Sequence, residues 1–363
     1  MKANRRTQGP VVSLILSPLS ILYGAVIRLR LLLYALRIFR SEAVSAPVIS
    51  VGNITVGGTG KTPVVEWIAR RLAGNGLKVC VLTRGYGRTN PRQRVVASDG
   101  ETQNISVRET GDEAMLLSKN LAAKAAVVCD ANRVNSAQWA INNLGSEVFV
   151  LDDGFQHLKI SRDLNIVLID AMDPFGNGRL LPFGRLREPL SGLARSDAVL
   201  ITRSDQVENI EPLRSMITEY CGKTPIFAAR TVVRRIVDLH GKEADLQHEN
   251  TRALGILAFC GIGNPLSFFT QLRDDGWKIA DKKIFRDHHV YSQSDVDELV
   301  THARRVGVNR LITTAKDSTK LGGLKVELDC LVVDIDCEID QDETLAELIF
   351  AAVNAKRRPS GEN

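Results

Sequence analysis

Short apolar runs alternate with amphipathic stretches along most of the chain. The runs APVISVGNI (46–54), SEVFVLDD (146–153) and DAVLITRSD (197–205) each end in a polar turn. Between such runs lie segments with apolar residues at helical spacing, for example TPVVEWIARRLAG (62–74). Strands that lack a polar alternation are buried on both faces, as in parallel sheets that are covered by helices. The pattern therefore predicts an α/β fold with a mostly parallel sheet.

The same alternation resumes near the C-terminus, after a charged and less periodic stretch. ALGILAFCGIGNP (253–265) is strand-like, LSFFTQLRDDG (266–276) has helical spacing, and CLVVDID (330–336) is strand-like again. This second cycle predicts a smaller C-terminal α/β lobe. For the stretch between the two cycles, residues 225–252, we predict a linker or short antiparallel strands.

The N-terminus has a different pattern. Residues 7–27 carry no formal charge, and RLRLLLYALRIFR (28–40) predicts an imperfect amphipathic helix. A membrane span needs about 20 apolar residues, but serines, Pro18 and Gly24 dilute this stretch. No small-residue cleavage site follows it, so a removed signal peptide is not expected. We favour a helix embedded in or lying on the cytoplasmic face of a membrane, and a true span or a helix buried at a protein interface stay open.

The charge distribution supports this interpretation. The net charge is +5, yet residues 1–40 hold seven basic side chains and no acidic one, so the excess belongs to the N-terminus. A nucleic-acid-binding body is therefore not supported, and nothing in the sequence predicts an obligate protein partner. The six cysteines form no CxxC pair and several lie in apolar runs, which indicates reduced thiols in a cytosol-facing protein.

A candidate phosphate loop lies in NITVGGTGKTP (53–63), between a predicted strand and a predicted helix. Backbone N–H groups of such a loop and the following helix N-terminus bind phosphate. Lys61 would bridge the β- and γ-phosphates, and Thr62 would ligate Mg²⁺. Thr55 occupies the place of the usual first glycine, which weakens the motif, but the strand–loop–helix context restores it. The predicted ATP-binding residues are Thr55, Val56, Gly57, Gly58, Thr59, Gly60, Lys61 and Thr62. By contrast, CGKTP (221–225) lacks the preceding glycines, and we predict an ordinary loop there.

Acidic residues at strand and helix ends offer the remaining chemistry. Asp152 and Asp153 end a predicted strand, where a phosphate-loop fold needs an acid to hold Mg²⁺. Asp112 and Glu113 could accept a proton from an alcohol, but they are also ordinary residues for the start of a helix. The DHH segment (287–289) contains a histidine that could pair with such an acid.

An arginine-rich loop, GNGRLLPFGRLREPL (176–190), leaves two alternatives open. Its arginines suit phosphate oxygens, or they line a solvated surface loop.

These motifs together carry a family resemblance. GNITVGGTGKTP, RGYGR, TGDE, DDGFQH, LLPFGRLREPL, GIGNP, FRDHH and TAKD occur in an order that resembles the tetraacyldisaccharide 4'-kinase family of lipid A biosynthesis. The resemblance extends from the hydrophobic N-terminus to about residue 340, and the Thr55 departure is typical of that family. It implies transfer of the ATP γ-phosphate, with Mg²⁺, to the 4'-hydroxyl of an acylated glucosamine disaccharide 1-phosphate at the cytoplasmic face of the bacterial inner membrane. The implied partners are therefore ATP, this lipid acceptor and the inner-membrane lipid.

The resemblance also implies roles for single residues. It places Lys61 and Thr62 on the nucleotide loop, and Asp152 and Asp153 on the metal-side acidic pair. Asp112 matches the proposed base, and His288 matches the histidine beside it. Five further positions are assigned only to the general site: Tyr86, Glu113, Gln156, Arg187 and Glu188.

The implied organisation has four segments. These are a membrane-associating segment (1–44), a phosphate-loop core (45–224), a linker or short strands (225–252) and a C-terminal α/β lobe (253–363).

A membrane-associated switch ATPase that acts on a protein partner is the main rival. ATPases with a related loop usually carry a lysine before the double glycine, where this chain has Val56. A non-enzymatic adaptor with a vestigial loop would not explain why acids, arginines and a histidine accompany that loop.

Overall fold

A computed structural model describes residues 10–103, 106–244, 252 and 254–357, with side chains from residue 16 onwards. Its helices, in chain order, are α1 (Pro10–Ala35), α2 (Lys61–Gly74), α3 (Val107–Thr110), α4 (Asp112–Asn120), α5 (Arg133–Leu144), α6 (Glu211–Cys221), α7 (Pro265–Asp274), α8 (Gln293–Arg305), α9 (Ala315–Ser318) and α10 (Asp342–Arg357). Its strands are β1 (Val48–Asn53), β2 (Val79–Thr83), β3 (Val95–Ser98), β4 (Ala125–Cys129), β5 (Val148–Asp152), β6 (Leu164–Asp170), β7 (Ala198–Thr202), β8 (Ile226–Asp238), β9 (Ile256–Cys260), β10 (Ile279–Ile284), β11 (Arg310–Thr314) and β12 (Asp329–Ile339).

Within the described residues these strands form one 12-stranded sheet in the order β10-β9-β11-β12-β8-β7-β6-β1-β5-β2-β4-β3. Among the strands of the described residues, only β3 with β4 and β8 with β12 pair antiparallel. The central strands β1, β5 and β7 are buried along their whole length, because helices cover both faces. The predicted mostly parallel α/β fold is confirmed.

Part of the stretch predicted as a linker or short antiparallel strands (225–252) is a long strand. Residues 226–238 form the 13-residue β8, parallel to β7 and antiparallel to β12, whereas residues 245–251 of that stretch lie outside the described residues. The sequence did not predict this long strand because its charged residues interrupt the apolar pattern. In the structure, arginines of β8 pair with acids of β12. Arg230 lies 2.5 Å from Glu338, and Arg234 lies 2.5 Å from Asp334. The antiparallel β8–β12 pair thus joins the two halves of the single sheet, one from each lobe.

The last helix, α10, packs against the N-terminal half of the protein rather than against the C-terminal lobe. Leu345 and Ile349 of α10 belong to the same buried cluster as Val64 and Ile68 of α2, which follows the candidate phosphate loop. The chain therefore returns to the N-terminal half after β12, although the predicted division into four segments stays a prediction.

The N-terminal helix also differs from its predicted extent. Residues 28–40 do not form one helix, because α1 ends at Ala35 and Arg37 adopts a left-handed turn with φ 59°. The upstream apolar stretch belongs to α1 instead. Within the described residues, Leu16–Ala35 is a helical stretch long and apolar enough to cross a membrane, by length and composition alone. Signal sequences and buried core helices meet the same criterion, so this is weak evidence for membrane association.

Two smaller predictions concern the thiols and the second GKTP sequence. All six cysteines are unpaired, and five of them are buried. The CGKTP segment connects the end of α6 to the start of β8 as a loop.

Candidate active site

The segment between β1 and α2 has the geometry of a phosphate loop. Gly57 and Gly60 have φ values of 117° and 74°, which L side chains rarely adopt. The side chain of Asn53 donates a 3.0 Å hydrogen bond to the Thr59 hydroxyl, and Lys61 is the first residue of α2. The loop therefore leads directly into the N-terminus of α2, where free backbone N–H groups favour the binding of anions.

The missing glycine at position 55 has a structural explanation. Thr55 is buried and forms an antiparallel bridge with Leu186, and the N–H of Val56 donates to the Arg185 carbonyl oxygen at 2.8 Å. An extended residue in such a bridge does not need a glycine. The arginine-rich loop is thus attached directly to the start of the phosphate loop.

Lys61, Asp153 and Arg187 form an ion-pair cluster beside this loop. Lys61 Nζ lies 3.4 Å from Asp153 Oδ1, and Arg187 Nη1 donates to Asp153 Oδ2 at 2.6 Å. Burial alone would raise the pKa of Asp153, but the two cations hold that pKa below its ordinary value. Asp153 therefore carries a full negative charge at neutral pH.

Asp152 lies in a different environment, although it is the adjacent residue. Its carboxylate is buried and accepts a 2.9 Å hydrogen bond from the Thr83 hydroxyl. Burial, together with the negative charges of Glu113 and Asp153, raises the pKa of Asp152 to about 6. The pKa values of the two adjacent carboxylates are therefore shifted in opposite directions, and Asp152 takes up a proton at a higher pH than Asp153 does.

Asp112 and His288 meet across the two lobes. His288 Nδ1 lies 2.9 Å and 3.1 Å from the two carboxylate oxygens of Asp112, and the ring of Tyr86 lies 4.9 Å from the His288 ring. Gly111 makes this approach possible, because its φ is 86° and a side chain there would press against the Tyr86 carbonyl oxygen. A hydrogen-bonded acid–histidine pair of this kind can hold or move a proton.

The two members of the pair have opposite pKa shifts. Burial alone would raise the pKa of Asp112, but the hydrogen bond with His288 and two nearby lysines hold it below its ordinary value. The hydrogen bond with Asp112 raises the pKa of His288, although burial opposes this. The pair therefore favours a charged carboxylate with a hydrogen-bonding imidazole next to it.

The two lysines near Asp112 had no role assigned from the sequence. Lys316 Nζ lies 3.8 Å from Asp112, 3.1 Å from Glu113 and 3.7 Å from Asp287. Lys320 Nζ also lies 3.8 Å from Asp112. The TAKD motif contained Lys316, but only the fold shows what this lysine contacts.

One turn of the C-terminal lobe connects the two clusters. The N–H of His288 donates to the Gly261 carbonyl oxygen at 3.2 Å. Two residues later, a side chain added at Gly263 would lie 3.0 Å from the Gly58 backbone nitrogen. The Asp112–His288 pair therefore lies next to the phosphate loop.

Gln156 and Glu188 lie behind the ion-pair cluster. The Gln156 side-chain amide donates at 2.8 Å to both the Asn53 carbonyl oxygen and Glu188 Oε1. Glu188 is buried and also pairs with Arg195 at 2.7 Å. These contacts fix the end of β1, where the phosphate loop begins.

The other two arginines of the 176–190 loop, Arg185 and Arg179, make different contacts. Arg185 pairs with Asp173 and donates to the Val56 carbonyl oxygen at 2.8 Å. Arg179 lies above the ring of Phe183 at 4.4 Å. Both the phosphate-binding and the surface-loop alternatives therefore stay open for Arg179.

His157 is half-buried and uncharged at neutral pH. Burial and the charges of neighbouring arginines lower its pKa to about 4.

Comparison with known proteins agrees with this geometry. The family model described as Tetraacyldisaccharide-1-P 4'-kinase matches residues 12–354. The tetraacyldisaccharide 4'-kinase of Pelobacter propionicus is 41% identical over 313 residues, which are 86% of this chain and 84% of that protein. The enzyme of the same name from Geobacter metallireducens is 40% identical over 312 residues, covering 86% and 89% of the two chains.

A solved structure extends the likeness to the fold. The crystal structure of the "apo" form of LpxK from Aquifex aeolicus in complex with ATP superposes with a TM-score of 0.75 at 33% identity. It covers 93% of this chain and 98% of that chain. This chain therefore belongs to the tetraacyldisaccharide 4'-kinase family and is a kinase.

Proposed function

We propose that this kinase transfers the γ-phosphoryl group of ATP to the 4'-hydroxyl of tetraacyldisaccharide 1-phosphate, with Asp112 as the base. The observation that carries the proposal is the Gly261–Gly263 turn, which contacts both His288 and the phosphate loop. An alcohol bound beside Asp112 would face the end of a nucleotide held at Lys61. The product is the 4'-phosphorylated lipid A precursor.

The bonds that change involve one phosphorus atom. The sugar oxygen forms a bond to Pγ, the bond between Pγ and the β,γ-bridging oxygen breaks, and ADP leaves. The 4'-hydroxyl proton passes to Asp112, whose low pKa is sufficient because phosphoryl transfer demands little proton removal before the transition state. His288 orients the carboxylate, and Lys61 stabilises the charge that develops on the phosphoryl oxygens.

The residues of the phosphate loop also fit a magnesium ion. Asp153 Oδ1 is buried and accepts no hydrogen bond of good geometry, and Thr62 is the second residue of α2. A hydroxyl and carboxylate oxygens are the donors that Mg²⁺ prefers in nucleotide sites. We infer that Thr62, Asp152 and Asp153 would hold Mg²⁺, which supplies charge neutralisation on the phosphates when bound.

The exposed face of α1 supports a location on the membrane surface. The opposite face is attached to the body, because Ser20 Oγ donates to the Leu180 carbonyl oxygen at 2.8 Å and Arg30 donates to that of Gln156 at 3.0 Å. Contact of one face with the protein body favours a helix that lies on the bilayer over one that crosses it. The outward apolar stripe suits an interfacial helix on the cytoplasmic face of the bacterial inner membrane. It consists of Leu19, Leu22, Val26, Leu29 and Leu32, each about half exposed or more.

The groove between α1 and the arginine-rich loop suits the lipid acceptor. Its volume is about 490 Å³, and its lining combines apolar side chains such as Leu180 and Phe183 with Arg28 and Arg179. We infer that the arginines bind the phosphate of the disaccharide while the apolar part contacts its acyl chains. The groove opens beside the apolar stripe of α1, where a membrane lipid would enter.

Labelled ATP tests the reaction. The purified protein, incubated in detergent with γ-labelled ATP, Mg²⁺ and the lipid disaccharide, should transfer the label to lipid. ATP hydrolysis that ignores the lipid and leaves it unlabelled would instead support the switch ATPase.

Vesicle binding tests the location. Replacing Leu22, Val26 and Leu29 by serine should reduce co-sedimentation with anionic phospholipid vesicles by at least about tenfold, because apolar burial is lost at each position. Val290→Ser is the matched control, since Val290 is 80% exposed elsewhere on the surface. Equal vesicle binding by the triple variant and the control would contradict the interfacial helix.

A further inference from the structure

Lys316 lies at the centre of a charge cluster that both lobes build. Its Nζ is 3.1 Å from Glu113, 3.7 Å from Asp287 and 3.8 Å from Asp112. The lysine side chain is only 17% exposed. A cation that is largely buried among three carboxylates is held by all of them, and in turn it fixes their separation.

The acids come from different parts of the fold. Asp112 and Glu113 begin α4 of the N-terminal half, whereas Asp287 directly precedes His288 in the C-terminal lobe. Lys316 thus contacts the residue next to each member of the Asp112–His288 pair, as well as Asp112 itself. Loss of this cation would leave Glu113 and Asp287 beside Asp112 without the ammonium that contacts all three, and their repulsion would disturb the spacing of the pair.

The backbone that carries Lys316 is itself fixed. Thr314 caps α9 by accepting from the Asp317 N–H at 3.0 Å, and Asp317 accepts from the Gly261 N–H at 2.9 Å. Gly261 also accepts from the His288 N–H. Lys316 and His288 are therefore attached to the same short turn.

Lys320 is the other cation at this position, and its contacts differ. Its ammonium pairs with Asp317 at 2.8 Å and reaches Asp112 at 3.8 Å. Within the described part of the chain its ammonium pairs with neither Glu113 nor Asp287, so it connects Asp112 only to its own lobe. Lys316 is the one of the two that contacts carboxylates on both sides of the Asp112–His288 pair.

We propose that Lys316 is a positioning residue that holds Asp112 and His288 in one geometry across the two lobes and keeps Asp112 charged. The proposal rests on the proposed role of Asp112 as the base. Among the described residues, the charged and titratable groups that face this cluster are Asp112 and Glu113 from α4, Tyr86 from the loop after β2, Asp287 and His288 from the loop after β10, Asp317 of α9 and Lys320 just after it.

The electrostatics give this role a signature that a merely structural role lacks. The positive charge of Lys316 lowers the pKa of both Asp112 and His288. Without it, both pKa values rise, so both limbs of a bell-shaped pH profile of kcat/KM should move to higher pH. A general loss of packing would reduce activity without moving the limbs.

The test compares Lys316→Met, Lys316→Arg and Lys325→Met as full-length proteins, with ATP and the lipid disaccharide in detergent micelles. Lys325 is the control because it is 82% exposed on the C-terminal lobe. We expect Lys316→Met to lower kcat at least about tenfold, to leave the KM for ATP within about twofold and to move the profile upward by up to about one pH unit. Lys316→Arg should keep both limbs of the pH profile at their wild-type pH. Lys325→Met should match the wild type in kcat, in the KM for ATP and in the pH profile.

An unmoved pH profile in Lys316→Met would overturn the proposal. If Lys316→Met does not fold, the pH profile of Lys316→Arg tests the proposal instead. Because arginine keeps the positive charge, a shift of the Lys316→Arg limbs by as much as about one pH unit would overturn the proposal. Asp112→Asn, measured in parallel, separates this failure from that of the base itself. Wild-type turnover in Asp112→Asn would overturn both roles, whereas an inactive Asp112→Asn beside an unmoved Lys316→Met would overturn only the role of Lys316.

Discussion

The phosphate-loop cluster and the Asp112–His288 cluster are built in opposite ways. The first consists of residues 53–62 with Asp152, Asp153 and Arg187, and all of its parts come from the N-terminal half of the sheet. The second joins Asp112, at the start of α4, to His288 and Lys316, which lie more than 170 positions later in the sequence. One cluster is complete within a single half of the molecule, whereas the other exists only while the two lobes stay in contact.

The two clusters should therefore respond differently to changes in the contact between the lobes. A site built from one strand and the helix that follows it depends on local backbone geometry, so it should bind nucleotide even when the lobes are perturbed. A site that forms between lobes depends on separations set by the antiparallel β8–β12 pair and by a few side chains. Positioning errors of about 1 Å there are expected to reduce turnover rather than nucleotide affinity.

The largest effect is expected in the phosphate-loop cluster. Lys61→Ala should lower turnover roughly 1,000-fold and weaken ATP binding with it, because we propose that Lys61 contacts the phosphates in both the ground state and the transition state. The matched control is Lys223→Ala in CGKTP, an exposed loop lysine in the same GKTP context. Calorimetric ATP binding and the lipid kinase assay check both variants. ATP affinity that stays intact in Lys61→Ala would contradict the nucleotide role.

A smaller effect, confined to turnover, is expected from the other cluster. His288→Asn should lower kcat about 10- to 100-fold while the KM for ATP changes little, because the imidazole orients Asp112 and does not contact the nucleotide loop. His302→Asn serves as the control, since His302 pairs with Asp281 at 2.9 Å on the outer surface of the C-terminal lobe. Steady-state kinetics at saturating lipid separates the two parameters, and a matching rise in the KM for ATP would count against the division of roles.

The smallest expected effect is on stability, at the contact between α2 and α4. These helices begin at the phosphate loop and at Asp112, respectively. Glu66 of α2 is buried and accepts from Asn120 of α4 at 2.9 Å, and burial raises the pKa of Glu66 to about 7. The folded state therefore keeps a proton that the unfolded chain releases near pH 4.5, so this residue lowers stability as the pH rises from about 4.5 to about 7.

Glu66→Gln removes the titratable group, so this contribution to the pH dependence of the unfolding free energy disappears. Relative to the wild type, its free energy of unfolding should increase by on the order of 2 kcal/mol between pH 5 and pH 8. Glu219→Gln, at an exposed position of α6, is the control and should show no such trend. Urea denaturation at several pH values measures the difference, and a pH-independent difference would contradict the assigned pKa shift.

The sequence predicted the locally encoded features well. The phosphate loop, the strands β1, β5 and β7 and the helix α2 follow from apolar runs, glycine positions and helical spacing, all of which act between near neighbours. It missed β8, because Arg230 and Arg234 interrupt its apolar pattern and their partners lie on β12, about 100 residues away.

The parts of the site that depend on tertiary contacts could not be derived from residue patterns. Only the family resemblance placed His288 beside Asp112, since no local signal connects residues 176 positions apart. Lys316 had no assigned role for the same reason. The ion pair between Arg187 and Asp153 also needed the fold, although each residue had separately been assigned to the site.

The measurement that tests the division of roles most directly uses Asp112→Asn. Its ATP dissociation constant and its single-turnover rate of phosphoryl transfer to the lipid disaccharide are measured on the same preparation. We expect the dissociation constant to stay within about twofold of the wild type while the rate falls by about 100-fold or more, because the proposed role of Asp112 is proton removal and not nucleotide binding. Equal losses in ATP affinity and in rate would contradict the account and would make Asp112 part of the nucleotide site.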